Sequence, residues 1–571
     1  MKILFITLIL LTSCSPKIYK KSSKSVLNVS LSEEISTIDP AVSYDTISAR
    51  IVYQCYEQLF EYDFQKRPYK LKPNLAVSMP KIINDTTYII KLKKNIPYHD
   101  HPAFKGKTRF VKAQDFITQI KRLAYIPTKS NGWWIFDNKI IGINKFRKTV
   151  GSDFTKFEKT KIEGLTAIDD HTLKIDLIAP YPQMNYVLSL SFNSPLPFEI
   201  LEYDINEPSK NEIGTGPYKI QKFNRLTGAY LTKFNKYRTS LYPSQGDRYA
   251  HKNNLLKDAG KKIPFIENIH FKVIKEAQTR WLNFVGKKID FLVLPKDNYS
   301  TVINPDGTLK KSYYDKGMRL AVSPSLTFWW ISFNMTDPLL GKNKKLRSAI
   351  AHAIDIQKYI YTFTNNVALK ANSIYPPGIP GYDPSLVPSY EFNLVKARKL
   401  LAEAGFPGGK GLPNLNYDVR GTGTTNRQQA NFIKQSLIKI GINVDVVMNT
   451  FPAFLQKARK GKLQFWQDGW SMDYPDSENI LQLLISKNHT PNGPNVTFYN
   501  NKEFDKLFNQ LKYLQLSDKK YSIMNKMNQI IMKDLPWVMQ YYARDYILYY
   551  SGMKNFRHSD IIYNSFKYLR F

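Results

Sequence analysis

Two acids, Asp473 and Asp476, bracket a Tyr-Pro pair at the end of the stretch Phe465-Trp466-Gln467-Asp468-Gly469-Trp470-Ser471-Met472-Asp473-Tyr474-Pro475-Asp476. Paired carboxylates are the machinery of glycoside hydrolysis, but such pairs stand roughly 5–10 Å apart across the bond that is cut and usually come from different elements. Two acids in one turn fit that chemistry poorly. Binding suits Asp473 better. It follows Trp466 and Trp470, and a carboxylate beside a wall of low polarity holds a cationic group more strongly than it would in open water. An apolar strand entering a Gly469-Trp470 turn brings backbone close to a ligand, because glycine has no side chain to block the approach. Aromatic walls plus one anchoring charge describe a binding pocket better than a reaction centre. A surface turn carrying two core tryptophans is the bland alternative, and these residues alone leave both open.

No nucleophile elbow, zinc-protease helix, Walker loop or dinucleotide fingerprint is present. Gly421-Thr422-Gly423-Thr424-Thr425-Asn426 lacks the last glycine of the dinucleotide pattern. Gly214-Thr215-Gly216-Pro217-Tyr218 feeds a strand, whereas a phosphate cradle needs Gly-Lys-Ser/Thr opening a helix, so this turn is structural. His99 and His101 share one side of an extended loop, yet no further Cys, His or Glu at ligand spacing joins them, and metal sites usually need three or four ligands. The loop is therefore an ordinary polar one. Neither a metal nor a cofactor is expected.

The chain has 571 residues and a formal charge of +35, and 43% of its residues are apolar. That length exceeds one hydrophobic core and predicts two to four domains or lobes. Such a charge raises the question of nucleic acid or an anionic membrane. The lysines, however, are spread along the chain, and no zinc-finger spacing, RNP-like motif or basic zipper occurs. A solvated basic surface is the expectation, with no nucleic-acid partner.

Only two cysteines exist, which excludes a disulfide framework. Cys55 sits in apolar, aromatic context and reads as a small buried hydrophobe. Cys14 is different. Met1-Lys2 is followed by an apolar run to Leu11 and then Thr12-Ser13-Cys14, too short to span a bilayer, which takes about 20 apolar residues. Leu11-Thr12-Ser13-Cys14 resembles the lipobox of bacterial lipoproteins, which implies a signal peptide over 1–13 and lipidation of Cys14. Residues 14–25 then form a lipidated tether for a body at the periplasmic face of a membrane in the bacterial cell envelope. Ser15 after the cysteine hints at outer-membrane sorting.

The elements that must position the Asp473 stretch follow from periodicity. Val26–Leu31 alternates as a strand does. Ile47, Ile51, Val52, Cys55 and Leu59 share one helical face, and the helix should end near Tyr62-Asp63. Residues 240–265, polar and rich in Lys, Asn and Gly, read as a surface insertion. A strand at 269–274, a helix at 277–285 and a strand at 289–294 form a βαβ-like unit and argue for α/β layers. Asn393 caps a helix that Gly405 ends. A short helix with Pro452 in its first turn precedes a strand over 463–466, so the Asp473 stretch lies at the C-terminal end of a strand. Open α/β sheets bind ligands there, which favours the pocket over the surface turn.

Several segments together resemble the extracytoplasmic solute-binding proteins of ABC transporters, of the oligopeptide/dipeptide/nickel type (family 5). They are Ile38-Asp39-Pro40 with Tyr56-Glu57-Gln58-Leu59, Val111–Phe116 with Lys121-Arg122, Asp169–Leu173, Gly214–Tyr218, Lys345–Ala349 with Ala353-Ile354-Asp355, Ala397–Gly405 and Gly469–Asp476. The resemblance implies a type II periplasmic-binding-protein-like α/β fold: two large lobes with an extra subdomain, closing on ligand by a hinge. Its segments would be lobe I over 26–70, 205–316 and 541–571, lobe II over 71–204 and lobe III over 317–540. It implies no enzyme but a monomeric receptor that hands small peptides to permease subunits. Asp473 would meet the peptide's α-amino group, Gly469, Trp470 and Ser471 would offer main chain, and Trp466, Tyr474 and Phe451 would complete the walls. There are departures. Gln467 and Asp468 stand where some oligopeptide binders carry a basic residue, which unsettles ligand length, and Phe451 replaces a frequent tryptophan. A nickel or other metal chelate, or an oligosaccharide, remains an alternative solute; a glycan or murein hydrolase is the reading from another class.

Overall fold

The strand Val26–Leu31 forms because its alternate residues Leu27, Val29 and Leu31 are fully buried. It pairs in parallel with Asn268–Val273, which continues antiparallel to Gly228–Lys233 and Tyr218–Asn224. The protein is described here by a computed structural model covering residues 26–204, 213–386 and 390–571. The signal segment, Cys14 and the tether lie outside the described residues. Among the described residues no helix is long and apolar enough to cross a membrane. A second four-stranded sheet, Lys81–Ile83, Thr87–Lys91, Thr172–Asp176 and Leu165–Asp169, is antiparallel throughout.

The largest sheet carries the site. Its order runs Phe291–Val293, Trp537–Tyr550, Met318–Phe333, Phe465–Ser471, Leu415–Arg420, Val444–Asn449, with Leu369–Lys370 added on Trp537–Tyr550. Two of these strands are long. Met318–Phe333 and Trp537–Tyr550 run antiparallel, and their pairing breaks register between Pro324 and Phe328. Before the break they sit beside Phe291–Val293; after it Met318–Phe333 pairs with Phe465–Ser471.

Several buried acids are matched by cations brought from far along the chain. Arg122 grips Asp39 with both terminal nitrogens, at 2.8 and 2.5 Å. Lys567 meets Glu61 at 2.6 Å, and Arg238 meets Glu57 at 2.5 Å. Removing one member of such a buried pair typically costs about 3–5 kcal/mol, because the other charge is stranded.

Four expectations change. The first helix stops at Cys55, short of Leu59, because the Cys55 carbonyl is claimed by the Gly216 N–H at 2.9 Å and Tyr56 turns extended. A Cβ on Gly214 would fall 1.9 Å from that same carbonyl, so the glycines of this turn serve close packing, as expected of a structural turn. Residues 240–265 are no mere surface insertion: Tyr242 and Ile263 are core residues, and fully buried Asp258 takes Arg570, Lys261 and Asn555. Its partners Arg570 and Asn555 are about 300 positions away, beyond what local composition can reveal. The βαβ-like unit divides between sheets, Asn268–Val273 in one and Phe291–Val293 in another. Finally, Gly469 and Trp470 lie inside a strand, Phe465–Ser471, and not in a turn. The N-cap Asn393, whose side chain accepts from Lys396 N–H, stands where expected, and so does buried Cys55.

Candidate binding cleft

The strand Phe465–Ser471 has two different edges. Along one it pairs residue by residue with Thr327–Phe333. Along the other it pairs with Leu415–Arg420 only at Phe465 and Trp466, so past Trp466 that edge is open. Met472 N–H donates to Leu326 O at 3.1 Å. Because main-chain direction alternates along a strand, Asp468 and Trp470 also point to that neighbour, while Gly469 and Ser471 present their main chain to the open edge. Gly469 N–H there meets the Asp468 carboxylate at 2.9 Å. A Cβ on Gly469 would lie 2.7 Å from the Trp329 ring. The glycine is thus required by an indole laid across it.

Asp473 sits just beyond the strand, where its side chain is held rather than free. Asn479, fully buried, accepts from Asp473 N–H and from the Trp470 indole N–H, both at 2.9 Å, and donates to Asp473 Oδ2 at 2.8 Å. Tyr44 OH donates to the same Oδ2 at 2.8 Å. Among the described residues Oδ1 takes no hydrogen bond. Burial raises the Asp473 pKa to about 6 against the lowering pull of Asn479 and Tyr44, and nearby Glu478 adds to the rise. Among the described residues no cation pairs with it. Burial and the Asp473 charge push the Tyr44 hydroxyl well above its ordinary range, so it remains a neutral donor.

The Tyr44 ring meets Trp470 edge-on at 5.4 Å and Phe192 at 5.1 Å. These three rings come from three distant stretches of chain and all line a cavity of about 250 Å³. Gly469, Ser471, Asp473, Trp329 and Phe451 also line it. Of the residues singled out in sequence, Trp466 and Tyr474 do not. Trp466 is 1% exposed, packs beneath the lining on Phe454, Ala458 and Leu463, and donates to Asp468 at 3.0 Å. Tyr474 is fully buried; it stacks on Tyr186 and its hydroxyl donates to Glu478. Both lie beside the cleft and support its lining residues without lining it themselves. His99 is buried against the Gly216 carbonyl, and that burial lowers its pKa to about 4; His101 caps a short 3-10 turn.

Arg420 escaped the sequence reading. It ends the strand Leu415–Arg420, and its guanidinium lies 4.7 Å from the Phe451 ring centre, 5.3 Å from that of Trp329 and 3.9 Å from Asp468. Nothing near it in sequence marks it, because its partners arrive from other strands. The cleft therefore offers a carboxylate with a spare oxygen, an open strand edge and a guanidinium laid on aromatic faces. Such an arrangement holds a short zwitterion with an extended main chain. Among the described residues that line the cleft, none form a nucleophile–base pair.

The family model for bacterial extracellular solute-binding proteins, family 5 (Middle), matches residues 70–492. The dipeptide-binding protein of Escherichia coli (strain K12) is 24% identical over 502 residues, 86% of this chain and 83% of that protein. The glutathione-binding protein GsiB of Shigella dysenteriae serotype 1 (strain Sd197) is 24% identical over 519 residues, 89% of this chain and 87% of that protein. Among solved structures, the periplasmic binding protein DppA from Helicobacter pylori in complex with peptide STSA superimposes with a TM-score of 0.78 at 23% identity. That match covers 96% of this chain and 98% of that one.

Proposed function

The chain belongs to the bacterial extracellular solute-binding proteins of family 5, and on that premise we propose that it captures short peptides between its lobes for an ABC importer. Members of the family are transport components and not enzymes. The observation that carries the reading is Asp473, a half-buried carboxylate with one oxygen spare and, among the described residues, no cation paired with it, beside the open edge at Gly469 and Ser471. In this reading the peptide's α-ammonium meets Asp473 Oδ1 and its main chain continues the sheet along Gly469 and Ser471. Its carboxylate meets Arg420. Backbone pairing is indifferent to side chains, so many peptides would be accepted. The long strands Met318–Phe333 and Trp537–Tyr550 carry the chain between the lobes and supply the hinge, on the division at 316/317 and 540/541. Lipidation of Cys14 would hold the body at the membrane beside its permease.

Isothermal titration with an equimolar di- to pentapeptide mixture tests the binding claim. Wild type should bind, and Asp473→Ala should lose about 100-fold or more in affinity, the cost of stranding a desolvated charge pair being about 2–5 kcal/mol. Absence of binding to any peptide, with another solute found by mass spectrometry in the purified protein, would overturn it. The anchor is tested separately by metabolic labelling with tritiated palmitate: label should enter wild type and be missing from Cys14→Ala.

A further inference from the structure

Arg459 lines the same cleft from the C-terminal end of the helix Phe451–Arg459, together with Phe454, Leu455, Ala458, Thr490, Pro491 and Val496. Its main-chain carbonyl is taken by the Thr490 hydroxyl at 2.9 Å, which ties the helix end to the facing loop. Its guanidinium makes no ion pair among the described residues. Several other buried cations of the described residues hold an acid directly, as Arg122, Arg238 and Lys567 do. Asp45 is the acid nearest in effect, but its carboxylate is committed to capping the helix Thr46–Cys55 and to Ser36. Burial lowers the Arg459 pKa, and Asp45 only partly opposes this. The partial negative charge of the helix end favours a cation, yet amounts to about half a charge and leaves the rest of the guanidinium charge uncompensated. An unpaired, partly desolvated guanidinium facing a cavity is relieved by an anion that arrives from the cavity, preferably a planar carboxylate matching its fork.

We infer that Arg459 forms a second anionic subsite, distinct from the main-chain carboxylate position at Arg420, and that it selects peptides bearing an acidic side chain. This rests on the peptide reading above and adds a preference to it. The test uses Ala-Ala-Ala and tripeptides carrying one Glu, Gln or Lys at position 2 or 3, titrated calorimetrically into wild type, Arg459→Gln and Arg459→Glu, with melting curves confirming that each variant folds. In wild type the best Glu peptide should bind at least tenfold more tightly than its Gln counterpart. That ratio should collapse towards one in Arg459→Gln, and Arg459→Glu should instead favour the Lys peptide. Equal binding of Glu and Gln peptides by wild type, or a Glu preference that survives in Arg459→Gln, overturns the inference while leaving peptide binding intact. Failure of the parent reading looks different: no tripeptide binds any of the three proteins.

Discussion

At Asp473, binding and stability pull in opposite directions. A carboxylate whose folded pKa is raised to about 6 stabilises the fold only while protonated: its contribution is complete below the unfolded value near 4 and is lost as pH rises through about 6. At pH 7.5 the charged form therefore burdens the empty protein by roughly 3 kcal/mol. Asp473→Asn, which keeps an acceptor for Tyr44 and Asn479, should be more stable than wild type at pH 7.5 by roughly 1–3 kcal/mol in urea unfolding, yet bind peptide worse. In wild type, affinity should fall about tenfold per pH unit below 6, as the ligand's ammonium loses its partner, and this slope should vanish in the Asn variant. A flat wild-type profile between pH 4.5 and 7 would contradict the role given to this carboxylate. Asp473 was legible in sequence by its aromatic company. Asn479, which fixes it, was not, because a buried amide six residues on carries no pattern until the helix Glu478–Leu481 folds it back.

Among the elements, the strand Phe465–Ser471 matters most, and its behaviour turns on Gly469. In Gly469→Ala the new methyl meets the six-membered part of the Trp329 indole at 2.7 Å, so the ring must move, and Trp329 forms part of the cleft wall. Overpacking of this kind costs about 1–3 kcal/mol. We expect peptide affinity to fall about tenfold and tryptophan emission to shift, while the urea midpoint changes modestly. Unaltered emission and affinity would show that the indole is free to swing clear. Periodicity placed this strand but ended it too early. Apolar residues mark its buried start, Phe465 and Trp466, whereas the part facing the cleft, Gln467 to Ser471, is half-exposed and reads as a turn.

Across the whole molecule, the proposed hinge lies in the two long strands where their register breaks. Asp560 accepts from Leu326 N–H at 2.7 Å and from the Ser325 hydroxyl, pinning that break from the C-terminal segment. His558 in turn lies 3.2 Å from Asp560 and 3.4 Å from Asp545. Burial pulls the His558 pKa down, but its contacts with Asp545 and Asp560 outweigh that and raise it to about 9. A raised histidine stabilises fully below its unfolded value near 6.5 and loses that contribution as pH rises through 9, a change of roughly 3 kcal/mol. Urea midpoints taken at pH 6, 7.5 and 9.5 should fall more steeply for wild type than for His558→Gln. Parallel curves would remove the histidine from the hinge's stability.

The amino-acid sequence by itself determined the α/β class, most element positions, the family and the stretch on which the candidate site is built, because hydrophobic period, caps and short motifs are local and survive without the fold. The family model over residues 70–492 bears out that resemblance. Tertiary structure alone decided which tryptophans face the cleft, how the 240–265 segment is sewn into the core, and that Arg420 and Arg459 enter the cavity with Asp473. The reason is physical. Whether a side chain is a wall, a support or an unpaired charge depends on partners tens to hundreds of residues away, and sequence spacing records none of those distances.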